Sequence, residues 1–291
     1  MLGEVLTAIV TPFDKNGRVD LDRFRELTEF LIDNGSDGIV VCGTTGESPT
    51  LSDAEKIELW ETAVELLRGR ATVVAGTGTY DTAHSIHLTE RATEIGVDGL
   101  LIVTPYYNLP PQRAIVAHFE AIADASDKPI VVYNIPSRVV RNIEPETIEQ
   151  LAEIPTVRAV KQANADLEQA RQIPSFGLDL YAGDDNLIYP FLELGGLGVI
   201  SVIGHVVGPQ VKEMVRRYHD GDAPGAKGIN EQLGPAYELL TVQTNPIAIK
   251  AALNLRGHEV GGLRLPMVEA NETEIEHVRS CLERLGVLVT A

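Results

Sequence analysis

Short apolar runs punctuate the chain, and most are continuous rather than alternating. They are VLTAIVTPF (5–13), DGIVVCG (37–43), ATVVAG (71–76), DGLLIVTP (98–105), KPIVVYNIP (128–136), TVRAVKQ (156–162), LDLYAGDD (178–185) and LGVISVIG (197–204). Continuous apolar runs of this length predict parallel strands covered on both faces. The intervening stretches carry helical periodicity, for example LDRFRELTEFLIDNG (21–35), SDAEKIELWETAVELL (52–67), DTAHSIHLTERATEIG (81–96) and RAIVAHFEAIADA (113–125). The second of these opens with a capping box, Ser52 to Glu55. Further helices are predicted over 145–154, 165–173 and 186–196. Eight such βα units suit an α/β fold closed into a (β/α)8 TIM barrel, although strand counting alone leaves a doubly wound open sheet as a rival. From about Gly208 the pattern is helical, and in NPIAIKAALNLRG Asn245 is placed to cap a helix with Pro246 as its first residue. The expected organisation is a catalytic barrel over 1–222 and a C-terminal helical region over 223–291 packed on it.

Composition narrows the function. The chain has 291 residues, 44% of them hydrophobic, a formal charge of −18 and a mean hydropathy near zero. That charge argues against a nucleic-acid partner and against docking on an anionic membrane. No apolar run approaches the roughly 20 residues needed to cross a bilayer. The N-terminus reads as a first strand rather than a signal peptide. Cys42 and Cys281 form no framework or metal motif, so a reducing, cytoplasmic compartment is expected. The net charge also means that an anionic substrate would need a local cationic site.

In a parallel barrel the active site lies at the C-terminal ends of the strands, so the residues following each run are the candidates. GTTGES (43–48) offers two glycines, Thr44 and Thr45, a cluster able to cradle a carboxylate or oxyanion, or equally an ordinary βα turn. GTGTYD (76–81) lacks the third glycine of a dinucleotide loop. TPYYN (104–108) places Tyr106 and Tyr107 in a loop, where paired tyrosines suggest an interface. YNIPSR (133–138) offers the Tyr133 phenol and the Arg138 guanidinium, suited to a carboxylate or to a surface ion pair. The scattered histidines form no metal motif, and no G-x-S-x-G elbow is present. No cofactor is expected.

Among seven lysines, Lys161 alone ends a strand-like run. Lys56 is expected on the polar face of its helix, and Lys250 is expected to lay its stem on the core while its ammonium reaches water. Lys161 is either paired, with Asp184 or Asp185 available after the seventh run, or desolvated and partly neutral. A desolvated amine, a nearby phenol, a hydroxyl-rich cradle and one arginine suit Schiff-base chemistry on a 2-oxo acid.

GTTGES, TPYYN, YNIPSR, Lys161, AGDD (182–185) and GGLGVIS (195–201) resemble the dihydrodipicolinate synthase family, within the pyruvate-dependent class I aldolases that include N-acetylneuraminate lyase. The resemblance runs from TAIVTPF (7–13) to LRLPM (263–267). It implies condensation of pyruvate with L-aspartate 4-semialdehyde, in diaminopimelate and lysine biosynthesis. By the same resemblance Lys161 forms the imine, and Thr45 with the 43–46 backbone holds the pyruvate carboxylate. Tyr133 relays protons, with Thr44 and Tyr107 as hydrogen-bond partners. Arg138 binds the second carboxylate, and Gly183 and Ile200 close the pyruvate pocket. Tyr107 is implied to come from a neighbouring subunit, in a homotetramer built on dimers. Arg138 favours a second substrate bearing a carboxylate over the polyols of the sugar-acid lyases. A related 2-oxo acid aldolase and a non-catalytic ligand-binding barrel are the alternatives. The departure is KQAN (161–164), where such synthases commonly read KEAT.

The resemblance also implies a lysine effector pocket near Tyr106, at positions 48, 49, 53, 56, 80 and 84. Ser48 is retained, but His84 stands where lysine-sensitive enzymes carry a glutamate, Tyr80 replaces a small amide, and Lys56 adds a cation. Asp53 offers some attraction. Weak or absent inhibition by L-lysine is the expectation.

Overall fold

The computed structural model describes residues 2–288. Its frame is a closed barrel of eight parallel strands, each paired with its sequence neighbours and β1 with β8. The strands are β1 (Val5–Ala8), β2 (Gly38–Val41), β3 (Thr72–Gly76), β4 (Gly99–Val103), β5 (Ile130–Asn134), β6 (Val157–Gln162), β7 (Asp179–Ala182) and β8 (Gly198–Ser201). The surrounding helices are α1 (Leu21–Asp33), α2 (Asp53–Leu67), α3 (Thr82–Ile95), α4 (Gln112–Ala123), a single turn α5 (Pro136–Val139), α6 (Pro145–Ala152), α7 (Leu167–Gln172), α8 (Ile188–Leu192) and α9 (Gly204–His219). After them come α10 (Ala223–Gln232), α11 (Gly234–Thr241), α12 (Ile247–Leu255) and α13 (Glu272–Arg284). All eight apolar runs are strands, and the pairing of β1 with β8 closes the sheet and excludes the open-sheet rival. Each strand is shorter than its run: β3 and β6 reach the ends of theirs, and in the others the last residues of the run lie beyond the strand at the rim.

Strand alternation makes two cores. Leu6, Val40, Val74, Leu101, Val131 and Tyr181 fill the barrel interior. The alternate residues, such as Ile39, Val73, Ile102 and Val132, pack outward against the helices. This double burial is why the strands read as unbroken apolar runs. Gly198 begins β8 because a Cβ there would lie 1.8 Å from the Glu4 carbonyl oxygen. The capping box expected at Ser52 is present, with Ser52 and Glu55 bonded reciprocally.

The helix after Asn245 departs from expectation. It starts at Ile247 with Pro246 in the cap position, and the Asn245 amide is used elsewhere. Two lysines also differ. Lys56 is buried on α2, at 5% exposure, and Lys250 is 1% exposed on α12 rather than reaching water.

One histidine ties β1 to the end of β8. His205 is fully buried, its Nδ1 donating to the Val202 carbonyl (2.8 Å) and its Nε2 accepting from the Val10 N–H (3.2 Å). That pattern demands the neutral ring, since a protonated Nε2 would face another N–H. Burial accordingly pushes its pKa down to about 4. A depressed histidine pKa gives stability that is complete above the unfolded value near 6.5 and is lost as pH falls toward the folded one. Taking wild type from pH 7 to pH 5 should therefore cost about 2 kcal/mol through His205. His205→Gln should remove that share of the acid sensitivity in urea unfolding, and parallel pH dependences in the two proteins would contradict it.

Candidate active site

The C-terminal rim of the barrel surrounds a cavity of about 640 Å³. Strand register sets its floor. Tyr133 and Lys161 are Cα partners on β5 and β6, and both point inward, while their neighbours Asn134 and Gln162 are partners pointing outward. Lys161 is 4% exposed, its Nζ lying 4.3 Å from the centroid of the Tyr133 ring. Among the described residues it makes no hydrogen bond and no ion pair within 4.0 Å. Burial lowers its pKa to about 8, against the pull of Asp185 and Asp184, while Arg138 adds to the lowering.

The aspartates do not form the ion pair that would have made Lys161 structural. Asp185 is buried and accepts from the Ser201 hydroxyl (2.5 Å) and from the N–H groups of Val202 (3.0 Å) and Ile203 (3.3 Å). It thereby ties the turn after β7 to the start of α9. Asp184 faces the cavity, and burial raises its pKa. Burial likewise pushes the Tyr133 phenol well above the usual range, opposed by Arg138 and the neighbouring Thr44 hydroxyl.

The Gly43–Ser48 turn borders the same cavity through Thr44 and Thr45. Its internal bonds run Gly46 N–H to Gly43, Glu47 N–H to Thr44 and Ser48 N–H to Gly43. The N–H groups of Thr44 and Thr45 donate to no carbonyl among the described residues, which leaves them available to an anion. The turn is anchored from behind. Glu47, at φ +56°, is 3% exposed and accepts from Lys250 Nζ (2.9 Å) and from the Arg264 N–H (3.0 Å). Lys250 also donates to the Gly262 carbonyl (2.6 Å) and lies 4.2 Å from the Phe13 ring centroid. The buried Lys–carboxylate pair considered for Lys161 therefore exists, at Lys250.

Thr44, Thr45, Tyr133, Arg138, Lys161 and Gly183 all line the cavity. Arg138 sits on α5 at the rim, its guanidinium donating to the Asn245 carbonyl (3.3 Å). Two expected residues lie elsewhere. Ile200 is fully buried in the barrel interior, with Val202 forming the wall instead. Tyr107 is 92% exposed and outside its own chain's cavity. Sequence reading missed Asn245, whose Nδ2 donates to Thr45 Oγ1 (2.9 Å), together with Tyr237, Thr241 and Gln243, which form the opposite wall. The polar stretch TVQTN (241–245) before α12 is the one local signal for Thr241, Gln243 and Asn245, and Tyr237 on α11 has none. Among the described residues Glu238, His277 and Cys281 have metal-ligand spacing, but His277 (2.8 Å) and Arg284 (2.7 Å) already donate to that carboxylate.

At the expected effector positions, His84 Nε2 lies 3.0 Å from both Asp53 carboxylate oxygens. Tyr80 packs edge-on against Tyr106, centroids 5.3 Å apart.

The fold and site together define a parallel (β/α)8 barrel with an unpaired amine at its mouth, the class suited to imine chemistry on a carbonyl compound. The chain belongs to the dihydrodipicolinate synthetase family, whose model matches residues 1–285. It is 47% identical over 290 residues to a 4-hydroxy-tetrahydrodipicolinate synthase of Moorella thermoacetica, covering 98% of this chain and 99% of that protein. It is 46% identical over 292 residues to the corresponding synthase of Thermosynechococcus vestitus, covering 98% of each. The crystal structure of the lysine-bound enzyme from Cyanidioschyzon merolae superposes with a TM-score of 0.96 at 41% identity, covering 99% of both chains.

Lys250→Met should leave the Glu47 carboxylate buried and unpaired, lowering stability by about 3–5 kcal/mol. Adding Glu47→Gln to that variant should recover a large part of the loss. Unfolding midpoints for the single and double variants check this, and a single variant as stable as wild type would show that the pair does not anchor the turn.

Proposed function

We infer that this chain performs the 4-hydroxy-tetrahydrodipicolinate synthase reaction, condensing pyruvate with L-aspartate 4-semialdehyde. The observation that carries the reading is the buried, unpaired Lys161 in one cavity with an uncharged anion cradle, with Arg138 at the rim. Neutral Lys161 adds to the pyruvate keto carbon, and loss of water gives an iminium. The Thr44 and Thr45 N–H groups and the Thr45 hydroxyl hold the pyruvate carboxylate. Removal of a methyl proton yields an enamine, which attacks the aldehyde carbon. Tyr133, against Lys161 and Thr44, moves the protons. Arg138 holds the carboxylate of the semialdehyde. Its amine then displaces Lys161 from the imine carbon, closing the ring and freeing the enzyme. Gly183 and Ile200 shape the pyruvate end, Gly183 from the wall and Ile200 from beneath.

The catalytic unit contains at least two copies, and we propose a dimer of dimers. Tyr107 (φ +69°), Leu109 and Val140 expose apolar surface along the rim. Beside Tyr133 is a further cavity of about 210 Å³, walled by Thr44, Ser48, Pro49 and Tyr106. Tyr107 of a second copy, entering there, would complete the proton relay. The unpaired, buried cysteines suit a cytoplasmic setting.

Borohydride added with pyruvate should leave a stable adduct on the peptide carrying Lys161. In Arg138→Ala that adduct should still form, while kcat/KM for the semialdehyde falls by the equivalent of about 1.5–3 kcal/mol. An adduct on Lys250, or an unchanged kcat/KM in the arginine variant, would reject the corresponding role.

L-lysine should inhibit weakly or not at all. Asp53, the acid able to attract an ammonium, is already engaged by His84, and Lys56 brings a like charge to the same helix. Initial rates over a lysine series at subsaturating pyruvate decide this. Sub-millimolar half-inhibition that disappears in Tyr106→Ala would overturn it.

A further inference from the structure

Among the described residues three carboxylates line the cavity, those of Asp184, Asp185 and Glu238. Two of them are committed. Asp185 accepts from the Ser201 hydroxyl (2.5 Å) and from the N–H groups of Val202 (3.0 Å) and Ile203 (3.3 Å). Glu238, on α11, accepts from His277 (2.8 Å) and Arg284 (2.7 Å), which tie it to α13. Asp184 is different. It stands in the turn after β7, beside Gly183, and its side chain opens on the cavity. Among the described residues that side chain caps no helix and enters no ion pair. The reaction scheme above gives it nothing to do.

The same scheme leaves one charge of the second substrate unmet. L-aspartate 4-semialdehyde carries an ammonium on the carbon that bears the carboxylate held by Arg138. That ammonium would stand near two cations, the guanidinium and the iminium on Lys161, in a poorly screened mouth. It must also lose a proton, because only a neutral amine has the electron pair that attacks the imine carbon. Binding and chemistry therefore both call for an anion here. The phenols facing the cavity do not supply one, since burial raises the pKa of both Tyr133 and Tyr237 above the usual range. Asp184 is the carboxylate left free to do so.

We propose that Asp184 recognises the ammonium of the second substrate and accepts a proton from it ahead of ring closure. The proposal rests on the synthase reading above and deepens it. The Asp184 carboxylate takes one proton, and the electron pair left on nitrogen forms the new C–N bond to the imine carbon. A second proton passes from the attacking nitrogen to the Lys161 nitrogen. The Lys161 C–N bond then breaks, its electron pair going to the lysine, and Asp184 returns its proton to water at the cavity mouth. Burial raises the Asp184 pKa against the pull of Lys161 and Arg138, which makes it a better proton acceptor than an ordinary aspartate. Selectivity follows from the same contact. An aldehyde with the carboxylate but no amine can meet Arg138 and the enamine, yet it offers Asp184 nothing and cannot displace Lys161.

The test compares wild type with Asp184→Asn and Asp184→Glu in three measurements. Pyruvate-dependent borohydride trapping should proceed in Asp184→Asn at least as fast as in wild type, because the first half of the reaction does not use Asp184. At saturating pyruvate, kcat/KM for L-aspartate 4-semialdehyde should fall by about 10- to 100-fold in Asp184→Asn, the loss of a charge-assisted contact. Asp184→Glu, which keeps a carboxylate, should recover part of that loss. Inhibition by 4-oxobutanoate, which has the same aldehyde and carboxylate but no amine, should be no weaker in Asp184→Asn than in wild type. An unchanged kcat/KM in Asp184→Asn would overturn the proposal. So would slower trapping, which would place Asp184 with Lys161, or an equal weakening of 4-oxobutanoate, which would place it with the carboxylate. A Glu variant as poor as the Asn variant would overturn the role of the charge. A wild-type protein that forms the pyruvate imine but does not turn over the semialdehyde would overturn the synthase reading itself.

Discussion

The site is organised around one amine that has been taken out of water without being given a counter-ion. At its ordinary pKa near 10.5, about one lysine in three thousand would be neutral at pH 7, whereas at about 8 the fraction is roughly one in ten. That gain in nucleophile depends on what surrounding groups do not do. Asp185 is close enough to favour the ammonium, yet its oxygens are committed to Ser201 and two backbone N–H groups. Desolvation therefore dominates, since the attractive charges nearby are few.

Lys250 shows the opposite solution in the same molecule. It is as buried as Lys161, and burial lowers its pKa too, but Glu47 stands 2.9 Å away and the Gly262 carbonyl 2.6 Å away. A paired, hydrogen-bonded ammonium is a structural element, and removal of either partner exposes the cost of burying the other. What it fixes is the turn carrying Thr44 and Thr45. The C-terminal helices thus complete the site: α12 supplies Lys250, and the segment before it supplies Asn245 to Thr45.

The fold was legible because a parallel barrel imposes the same burial on every strand, so eight similar runs appear in the sequence. Lys161, Tyr133, Arg138 and the Gly43–Ser48 turn were legible for a related reason: in such a barrel the chemistry follows the strand ends, and the chain order lists them. Contacts across long separations were not legible. Glu47 and Lys250 are 203 residues apart, and Thr45 and Asn245 are 200 apart. Locally, Lys250 looks like an amphipathic lysine on a helix and Asn245 like a helix cap. Lys56 was misjudged for the same reason, as a helix wheel does not reveal what packs on its polar side.

The way the two substrate carboxylates are met follows from the charge that appears during the reaction. The adduct of Lys161 with a keto acid is a cationic iminium, whether or not the free amine was neutral. A second cation beside it would oppose its formation, and more strongly in the cavity than in water. The cradle bordering the same cavity is accordingly a pair of backbone N–H dipoles and a hydroxyl, which stabilise an anion without adding net charge. Arg138 stands at the rim, bonded to the Asn245 carbonyl, where a full positive charge can draw in an anion against a molecular charge of −18. On the proposed assignment, dipoles would serve the carboxylate bonded to the reacting carbon, and a guanidinium would serve the one that arrives later. An arginine moved into the cradle would hold pyruvate more tightly and make its imine less accessible, so the separation of the two is a requirement of the chemistry rather than an accident of the loops.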